Sequence, residues 1–190
     1  MRIISGKFRS RRVNSVKEPN NCGRENISGY RPTTDRARET IFNVLNNIID
    51  FDGTRCLDLF SGSGAIGFEF ISRGAESCDF VENAQKQIAN IGKTAEELGC
   101  TEQVSIIAEN VLGFLKRSGP GIGAYDIIFA DPPYGYEFYN ELMQGVLNMS
   151  FGIFVLEHAG ERAGMFNIND FDIIEKKVGM THFTILNKKD

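Results

Sequence analysis

The sequence predicts one α/β domain built on an open, mostly parallel sheet. From residue 54 onward, short apolar strand patterns alternate with helical patterns, which is typical of parallel strands joined by helical crossovers. The last two strand patterns, at 171–178 and 182–186, are separated only by a turn at Gly179. Strands joined so tightly must be antiparallel, because a parallel pair needs a crossover of about a dozen residues or more. The length of 190 residues fits a single compact domain.

The N-terminal part of the chain is predicted to be an extension of this domain. Residues 2–4 and 6–8 have the pattern of two short strands around a turn, which indicates a β-hairpin. Residues 14–30 are polar and rich in turn-forming residues, so we expect a loop there. The sequence therefore predicts a hairpin and loop extension over 1–30 and a main domain over 31–190.

The elements of the main domain follow from their own patterns. Helices are predicted where apolar residues recur every three or four positions, and strands where apolar residues run continuously. The first helix begins near 33–35, where Thr and Asp can cap it. Strands are predicted at 54–60, 77–81, 104–108, 126–129, 153–156, 171–178 and 182–186. Further helices are predicted at 64–73, 84–98, 111–116 and 139–147.

Charge is distributed unevenly along the chain. The net charge is −4, but residues 1–38 contain ten Lys and Arg against three Asp and Glu, a charge of +7, and the rest carry −11. Such an asymmetry is typical of a contact surface for nucleic acid or membrane. No stretch approaches 18 apolar residues, no signal-peptide pattern is present, and the four cysteines form no CxxC pair. We therefore expect a cytoplasmic protein without a membrane span, a disulfide or a metal.

Residues 58–67, DLFSGSGAIG, place the GxGxxG pattern between a strand and a helix. Glycines here let the backbone turn tightly and let a ligand approach it. Glu82 ends the next predicted strand, where a carboxylate can accept hydrogen bonds from both hydroxyls of a ribose. Asp58 would work against a pyrophosphate at the helix N-terminus, but it suits S-adenosylmethionine, which presents an ammonium and a sulfonium. The structural alternative is that Asp58 only caps the amides of the loop.

Residues 131–134, DPPY, directly follow the fourth predicted strand. Ligands of open α/β sheets bind outside the carboxyl ends of the strands, so this motif and the glycine motif can line one crevice. The two prolines remove two amide donors and leave rigid carbonyl acceptors. The Asp131 side chain and the Pro132 carbonyl can then accept both N–H groups of an exocyclic amino nitrogen, which directs its lone pair at a methyl group. Tyr134 would stack on the base.

These two motifs together resemble the class I S-adenosylmethionine-dependent amino-methyltransferases, which use N-P-P-Y or D-P-P-Y to methylate exocyclic nitrogens of adenine, cytosine or guanine. The segments RIISGK at 2–7 and RPTTDRARE at 31–39 narrow the resemblance to the RsmD-type bacterial 16S rRNA guanine-N2 methyltransferases, over essentially the whole chain. The resemblance implies a Rossmann-like, seven-stranded sheet of order 3-2-1-4-5-7-6 with strand 7 antiparallel. We expect a monomer that acts on 16S rRNA within a 30S subunit or an assembly intermediate.

The resemblance and the charge pattern also predict the site residues. The catalytic residues would be Asp131, Pro132, Pro133 and Tyr134. S-adenosyl-L-methionine would be bound by Asp58, Phe60, Ser61, Gly62, Gly64, Glu82, Asn83, Asn110 and Val111, with adenine near Asn110. Phosphates of the rRNA would be bound by Arg2, Lys7, Arg9, Arg11, Arg12, Arg31, Thr34, Arg36 and Arg38. Because the chain has no Pro-Cys pair, methyl transfer through a cysteine adduct is disfavoured and direct transfer is expected.

Three other functions stay open on the sequence alone. A DNA adenine-N6 methyltransferase shares DPPY, although such enzymes usually carry an added target-recognition segment. A noncatalytic RNA-binding or assembly protein could retain the same fold, and an NAD-dependent oxidoreductase could use the glycine motif. Glu157 and His158 follow the fifth predicted strand, and the favoured interpretation is a solvated strand end rather than a catalytic role.

Overall fold

A seven-stranded sheet organises the chain in the computed structural model, which describes residues 1–14, 35–119, 124–133, 135–160 and 169–189. The predicted site residues Arg31, Thr34 and Tyr134, and residues 15–30 of the predicted loop, lie outside the described residues. The strands are β1 (Arg55–Leu59), β2 (Ser77–Glu82), β3 (Val104–Ala108), β4 (Tyr125–Ala130), β5 (Phe151–Ala159), β6 (Phe171–Val178) and β7 (Thr181–Lys188). The helices are α1 (Asp35–Leu45), α2 (Ala65–Arg73), α3 (Gln85–Leu98), α4 (Val111–Arg117) and α5 (Tyr139–Leu147).

The strand order is β3-β2-β1-β4-β5-β7-β6. The first five strands in this order pair in parallel, and β7 runs antiparallel to both of its neighbours, β5 and β6. The predicted sheet, its order and its antiparallel C-terminal hairpin are therefore confirmed.

Helices cover both faces of the sheet, as parallel strands require. Apolar residues of α1, α2 and α3 pack on one face and those of α4 and α5 pack on the other. Successive side chains of a strand alternate between the two cores: Phe129 points to the α1–α3 side and Ala130 to the α4–α5 side. The same alternation decides which side chains at the ends of the strands face the site described below.

The fifth strand is longer than its apolar pattern predicts. β5 continues to Ala159 instead of ending at Leu156, because β7 pairs with it up to the Ala159 and Thr181 partners. Glu157 and His158 consequently belong to the strand and are 8% and 7% exposed. The expectation of a solvated strand end at these two residues is wrong.

The predicted N-terminal hairpin is not formed as two strands. Arg2 and Arg12 pair in an isolated antiparallel bridge, and residues 5–10 consist of bends and turns. The reason is that the backbone amides bond to α2: Ile4 N and Ser5 N donate to the Glu69 carboxylate at 2.8 and 3.0 Å. Residues 1–3 also bond to residues 10–13 in place of 6–8: Ile3 N donates to the Arg11 carbonyl oxygen and Val13 N to the Met1 carbonyl oxygen, both at 3.0 Å.

The N-terminal segment, residues 1–14, is nevertheless fixed to the main domain. Ile3 and Val13 are buried in the core on the α1–α3 side. Phe8 N donates to Ser72 Oγ and Lys7 N to the Ser72 carbonyl oxygen, at 2.9 and 2.7 Å. Gly6 lies so close to that carbonyl oxygen that a Cβ atom would overlap it. The segment therefore packs directly against the surface of α2.

Candidate active site

A cavity of about 1000 Å³ opens at the carboxyl ends of the parallel strands, where open α/β sheets bind their ligands. Its lining falls into two parts according to the strands that supply it. The β1–β3 half, at or after the ends of β1, β2 and β3, consists of Asp58, Phe60, Ser61, Gly62, Glu82, Asn83, Asn110 and Val111. The β4–β5 half, at or after the ends of β4 and β5, consists of Asp131, Pro132, Pro133, Glu157 and His158.

Asp58 is the most buried carboxyl group of the cavity lining. It is 2% exposed, and its Oδ2 accepts a hydrogen bond of 3.0 Å from Gly67 N, in the first turn of α2. Burial raises the pKa of Asp58 to about 8, the Gly67 bond opposes the rise, and the charges of Asp131 and Glu82 add to it. A ligand cation placed among these three carboxyl groups would relieve their repulsion and favour the ionised form of Asp58.

Glu82 is held in one orientation by three backbone amides. Its Oε2 accepts from Gly62 N at 2.8 Å, and its Oε1 accepts from Asn83 N and Ala84 N at 2.9 and 2.8 Å. These bonds join the loop after β1 to the end of β2. An ionised carboxylate has about four acceptor positions, so Glu82 can still accept from hydroxyl groups of a ligand.

The loop between β1 and α2 turns through left-handed backbone conformations. Phe60 has a φ of 58°, which is uncommon for a residue other than glycine and is typical of functional loops. Gly64 precedes α2 with a φ of 78° and is not among the residues that line the cavity. It packs against Phe68 and Phe80, where a Cβ atom would approach both rings to about 3 Å. The structure thus gives Gly64 a role in turning the chain and in packing.

Asn110 both lines the cavity and caps a helix. Its Oδ1 accepts from Gly113 N at 2.7 Å at the start of α4. The same oxygen has a second lone pair that a ligand amino group can use. Capping thus fixes the side chain at the predicted position without using all of its acceptors.

Residues 131–133 leave β4 as a turn that two prolines make rigid. Pro132 is buried and Pro133 exposed, and the Pro133 carbonyl oxygen accepts from Tyr136 N at 3.0 Å. Asp58 follows Cys56 by two positions on β1 and points to the α1–α3 side, and Asp131 lies near enough for its charge to raise the pKa of Asp58. Asp131, Pro132 and Pro133 therefore lie in one cavity with the predicted cofactor residues.

An aromatic cluster that the sequence analysis did not single out adjoins this turn. The ring of Tyr136 makes edge-on contacts with the rings of Phe60, Tyr139 and Phe138, with centroids 5.2 to 5.8 Å apart. Tyr136 and Tyr139 line the cavity, and Phe138 is half exposed. The signal for this cluster was the density of aromatic residues in GYEFY, directly after DPPY.

The predicted phosphate-binding residues divide into exposed and buried ones. Arg38 has no exposed surface, and its Nη2 donates to the Arg2 carbonyl oxygen at 2.8 Å and to Asp35 Oδ1 at 2.6 Å. Arg38 is therefore not exposed beside the other predicted phosphate-binding residues, and it lines the cavity. Exposed positions are held by Arg2, Lys7, Arg9, Arg11, Arg12 and Arg36.

The hydrogen-bonding and charged groups of the cavity fit S-adenosylmethionine better than a dinucleotide. The Gly67 amide of α2, which a pyrophosphate would need, is already bonded to Asp58. The carboxyl groups of Asp58 and Glu82 suit a cationic ligand with ribose hydroxyls.

Within the described ranges, no cluster of three or more His, Cys, Asp or Glu side chains is arranged to hold a metal ion. None of the described helices has both the length and the apolar character needed to cross a bilayer.

The sheet order and the cavity at its carboxyl edge define a class I S-adenosylmethionine-dependent methyltransferase. The family model described as "Conserved hypothetical protein 95" matches residues 1–187. The chain belongs to this family, which is the RsmD-type family that its motifs resemble.

Individual relatives agree with this assignment. The "Putative rRNA methyltransferase YlbH" of Bacillus subtilis is 30% identical over 194 residues, which cover all of both chains. The "Ribosomal RNA small subunit methyltransferase D" of Haemophilus influenzae is 38% identical over 138 residues, 72% of this chain and 65% of that protein, which is less than two thirds of its length. The solved structure of "Putative methyltransferase yhhF" from Escherichia coli is 25% identical, with a TM-score of 0.80 over 100% of this chain and 98% of that chain.

Proposed function

We propose that this protein transfers a methyl group from S-adenosylmethionine to the exocyclic N2 of a guanine in 16S ribosomal RNA. Its family membership and the names of its relatives support an rRNA methyltransferase. One observation in the structure carries the proposal: the Asp131-Pro132 acceptors share a cavity with the Asp58 and Glu82 carboxyl groups. An acceptor for an amino group and a site for a cationic methyl donor are thus side by side.

The cofactor would be held by the β1–β3 half. Asp58 favours a cation, Glu82 accepts from the ribose hydroxyls, and Asn110 accepts from the adenine amino group. Bound S-adenosylmethionine supplies an electrophilic methyl group. Because Glu82 and Asn110 are already oriented by backbone amides, they need no rearrangement when the ligand binds.

The target base would be held by the β4–β5 half. The Asp131 carboxylate and the Pro132 carbonyl oxygen accept the two N–H bonds of N2, which turns the lone pair of N2 out of conjugation and toward the methyl carbon. N2 forms the new bond to carbon, the bond from that carbon to sulfur breaks, and Asp131 accepts the proton that N2 releases. Orientation of this kind can lower a barrier by about 7 to 11 kcal/mol in favourable cases. Since N2 must leave its stack, the target is an unpaired or flipped-out nucleotide.

The exposed basic side chains of the N-terminal segment would bind the rRNA backbone. Arg2, Lys7, Arg9, Arg11 and Arg12 lie on one short stretch that packs beside α2, and Arg36 lies in the first turn of α1. Phosphate contacts position a nucleic acid without reading its bases, so this segment complements a cavity that takes in one base. We propose a cytoplasmic monomer that acts on 16S rRNA in a 30S subunit or an assembly intermediate.

Methylation of matched substrates with labelled S-adenosylmethionine tests this function. The substrates are stripped 16S rRNA, 30S particles from a strain that lacks the enzyme, and duplex DNA, and the products are identified as nucleosides after digestion. We expect N2-methylguanosine in RNA and no label in DNA, and sequencing of the modified rRNA maps the target nucleotide. N6-methyladenine in DNA alone would establish the DNA enzyme. Binding to 30S particles without any methylation would establish the assembly protein.

A further inference from the structure

Glu157 lies next to Asp131 at the carboxyl edge of the sheet. β4 and β5 pair in parallel with Ala130 opposite Leu156, and this pair is directly followed by Asp131, in the turn after β4, and by Glu157, within β5. Neighbouring strands are about 4.8 Å apart. The backbones of the two acidic residues are therefore side by side.

Glu157 faces the same side of the sheet as Asp58, the carboxyl group whose pKa the nearby charge of Asp131 raises. Val155 belongs to the core on the α1–α3 side, and Glu157 follows it by two positions on β5. Asp131 and Glu157 both line the cavity, and Glu157 is 8% exposed. The pairing of β5 with β7 beyond Leu156, with Glu157 opposite Phe183, keeps Glu157 in the strand and so fixes its position.

The DPPY motif alone recognises an amino group and leaves the choice of base open. Adenine and cytosine carry a ring nitrogen with a lone pair beside their amino group, on the edge used for Watson–Crick pairing. Guanine differs, because its N2 amino group is flanked on that edge by the N1–H donor. An acceptor placed next to the amino-binding acceptors would therefore favour guanine over both other bases.

We propose that Glu157 accepts the N1–H of the target guanine and is the residue that selects guanine. This inference rests on the proposed function, in which Asp131 and Pro132 accept the two N–H bonds of N2. The N1–H and the two N–H bonds of N2 are then all accepted, by the Glu157 carboxylate, the Asp131 carboxylate and the Pro132 carbonyl oxygen. A carboxylate has about four acceptor positions, so Glu157 can keep a partner within the protein and still accept from the base.

The same arrangement rejects adenine and cytosine. Their ring nitrogen would direct a lone pair at the Glu157 carboxylate, and the two acceptors would repel each other without forming a hydrogen bond. Sites that hydrogen-bond a substrate group can reject analogues that lack this group by large factors. Glu157 would thus act through exclusion as well as through attraction.

A base analogue tests the contact without altering the protein. 30S particles are reconstituted with 16S rRNA that carries either guanine or 2-aminopurine at the mapped target position. 2-Aminopurine keeps the 2-amino group but has a lone pair in place of the N1–H. We expect the unaltered enzyme to prefer guanine in kcat/KM by on the order of 100-fold.

Glu157→Gln tests the residue. The amide can turn its NH₂ group toward a lone pair, so we expect the preference for guanine over 2-aminopurine to fall to about tenfold or less, with cofactor affinity unchanged. Glu175→Gln is the matched control, because Glu175 lies exposed on β6, and it should keep the full preference.

The possible outcomes separate the two proposals. If the unaltered enzyme methylates neither substrate, the proposed function fails. If it methylates guanine and 2-aminopurine equally well, or if Glu157→Gln keeps the full preference, the role of Glu157 is wrong while the proposed function stands. Should Glu157→Gln fail to fold, equal methylation of the two substrates by the unaltered enzyme would still overturn the role of Glu157.

Discussion

The two halves of the cavity fix their acidic side chains by different means. In the β1–β3 half, backbone amides fix them: three bind Glu82, and the Gly67 amide binds Asp58. In the β4–β5 half, the chain itself sets the positions, through the prolines after Asp131 and the strand pairing on both sides of Glu157. Side chains of the first half help to shape the loops around them, whereas prolines and strand pairing set the backbone of the second half.

This difference predicts separable losses of function. A substitution in the β4–β5 half should reduce methyl transfer and leave both the fold and cofactor binding intact. A substitution in the β1–β3 half should reduce cofactor binding and alter the local loop. The predictions below follow in order of decreasing expected effect.

Asp131→Ala should cause the largest loss of activity. It removes an acceptor for N2 and the group that takes its proton, so we expect methyl transfer in a single turnover to fall by about 10²- to 10⁴-fold. Cofactor affinity by calorimetry should fall much less than this rate, because Asp58 and Glu82 are the carboxyl groups that hold the cofactor in this proposal. Asp172→Asn, an exposed change on β6, serves as the control. A loss of cofactor binding as large as the loss of rate would contradict the division into halves.

Asp58→Asn should reduce cofactor affinity by about 10- to 100-fold, since a charged hydrogen-bonding group is lost. RNA binding, measured by filter retention, should be unchanged because Asp58 lies deep in the cavity. Equal weakening of RNA and cofactor binding would show that the cavity does not separate the two ligands as proposed.

The pH dependence of cofactor binding sharpens the role of Asp58. With its pKa raised to about 8, the ligand-free protein holds Asp58 largely protonated at pH 7, and a bound cation favours the ionised form. Affinity should therefore rise with pH, by at most about tenfold per pH unit below the pKa, and level off above it. Calorimetry in buffers of different ionisation enthalpy at pH 7 should detect proton release. Asp58→Asn should abolish that release, and its persistence would assign the proton to another group.

The stability of the ligand-free protein should also depend on whether Asp58 is protonated. Because the folded-state pKa of Asp58 lies above the unfolded value, folding is favoured at low pH and this contribution is lost as pH rises from about 4 to about 8. The difference in Tm between Asp58→Asn and the unaltered protein should therefore increase over this range and then become constant. A difference that does not change with pH would mean that Asp58 titrates near its ordinary value.

Removing basic side chains from the N-terminal segment should have the smallest effect. Arg9 and Arg12 are exposed, and each phosphate contact to single-stranded RNA contributes about 0.7 to the slope of log affinity against log salt. Arg9→Ala with Arg12→Ala should therefore reduce that slope by about 1.4. Lys176→Ala with Lys177→Ala removes the same charge from exposed positions on β6 and should leave the slope unchanged. An equal reduction in both double variants would mean that only net charge matters.

The sequence was most informative where function depends on a short segment. Asp58, Gly62 and Glu82 lie within a few residues of strand ends, and the glycine spacing that marks them reflects local turns. The sheet order was also predictable, because the RsmD-type motifs imply it and the C-terminal turn is too short for a parallel crossover. Gly64 shows what a motif leaves open. Its positive φ serves the turn and the packing of α2, and the glycine pattern alone does not distinguish such a role from ligand contact.

Features that depend on distant partners were not predictable. The apolar run at 153–156 ends at Glu157, and only pairing with β7, more than twenty residues further along the chain, keeps that residue in a strand. The N-terminal residues have an acceptable hairpin pattern, but Glu69, 65 residues after Ile4, takes the amides that a hairpin needs. Arg38 looked like a surface cation because its burial depends on how α1 packs.

The helix α2 connects the two functions of the molecule. Within its nine residues, Gly67 binds Asp58 while Glu69 and Ser72 bind the N-terminal segment. If the basic side chains of the N-terminal segment bind the RNA as proposed, the rigid helix α2 sets the distance between these side chains and the methyl donor. The enzyme would then modify the guanine that lies at this fixed distance from the bound phosphates. The three-dimensional shape of the ribosomal particle, rather than the neighbouring base sequence, would specify which guanine is modified.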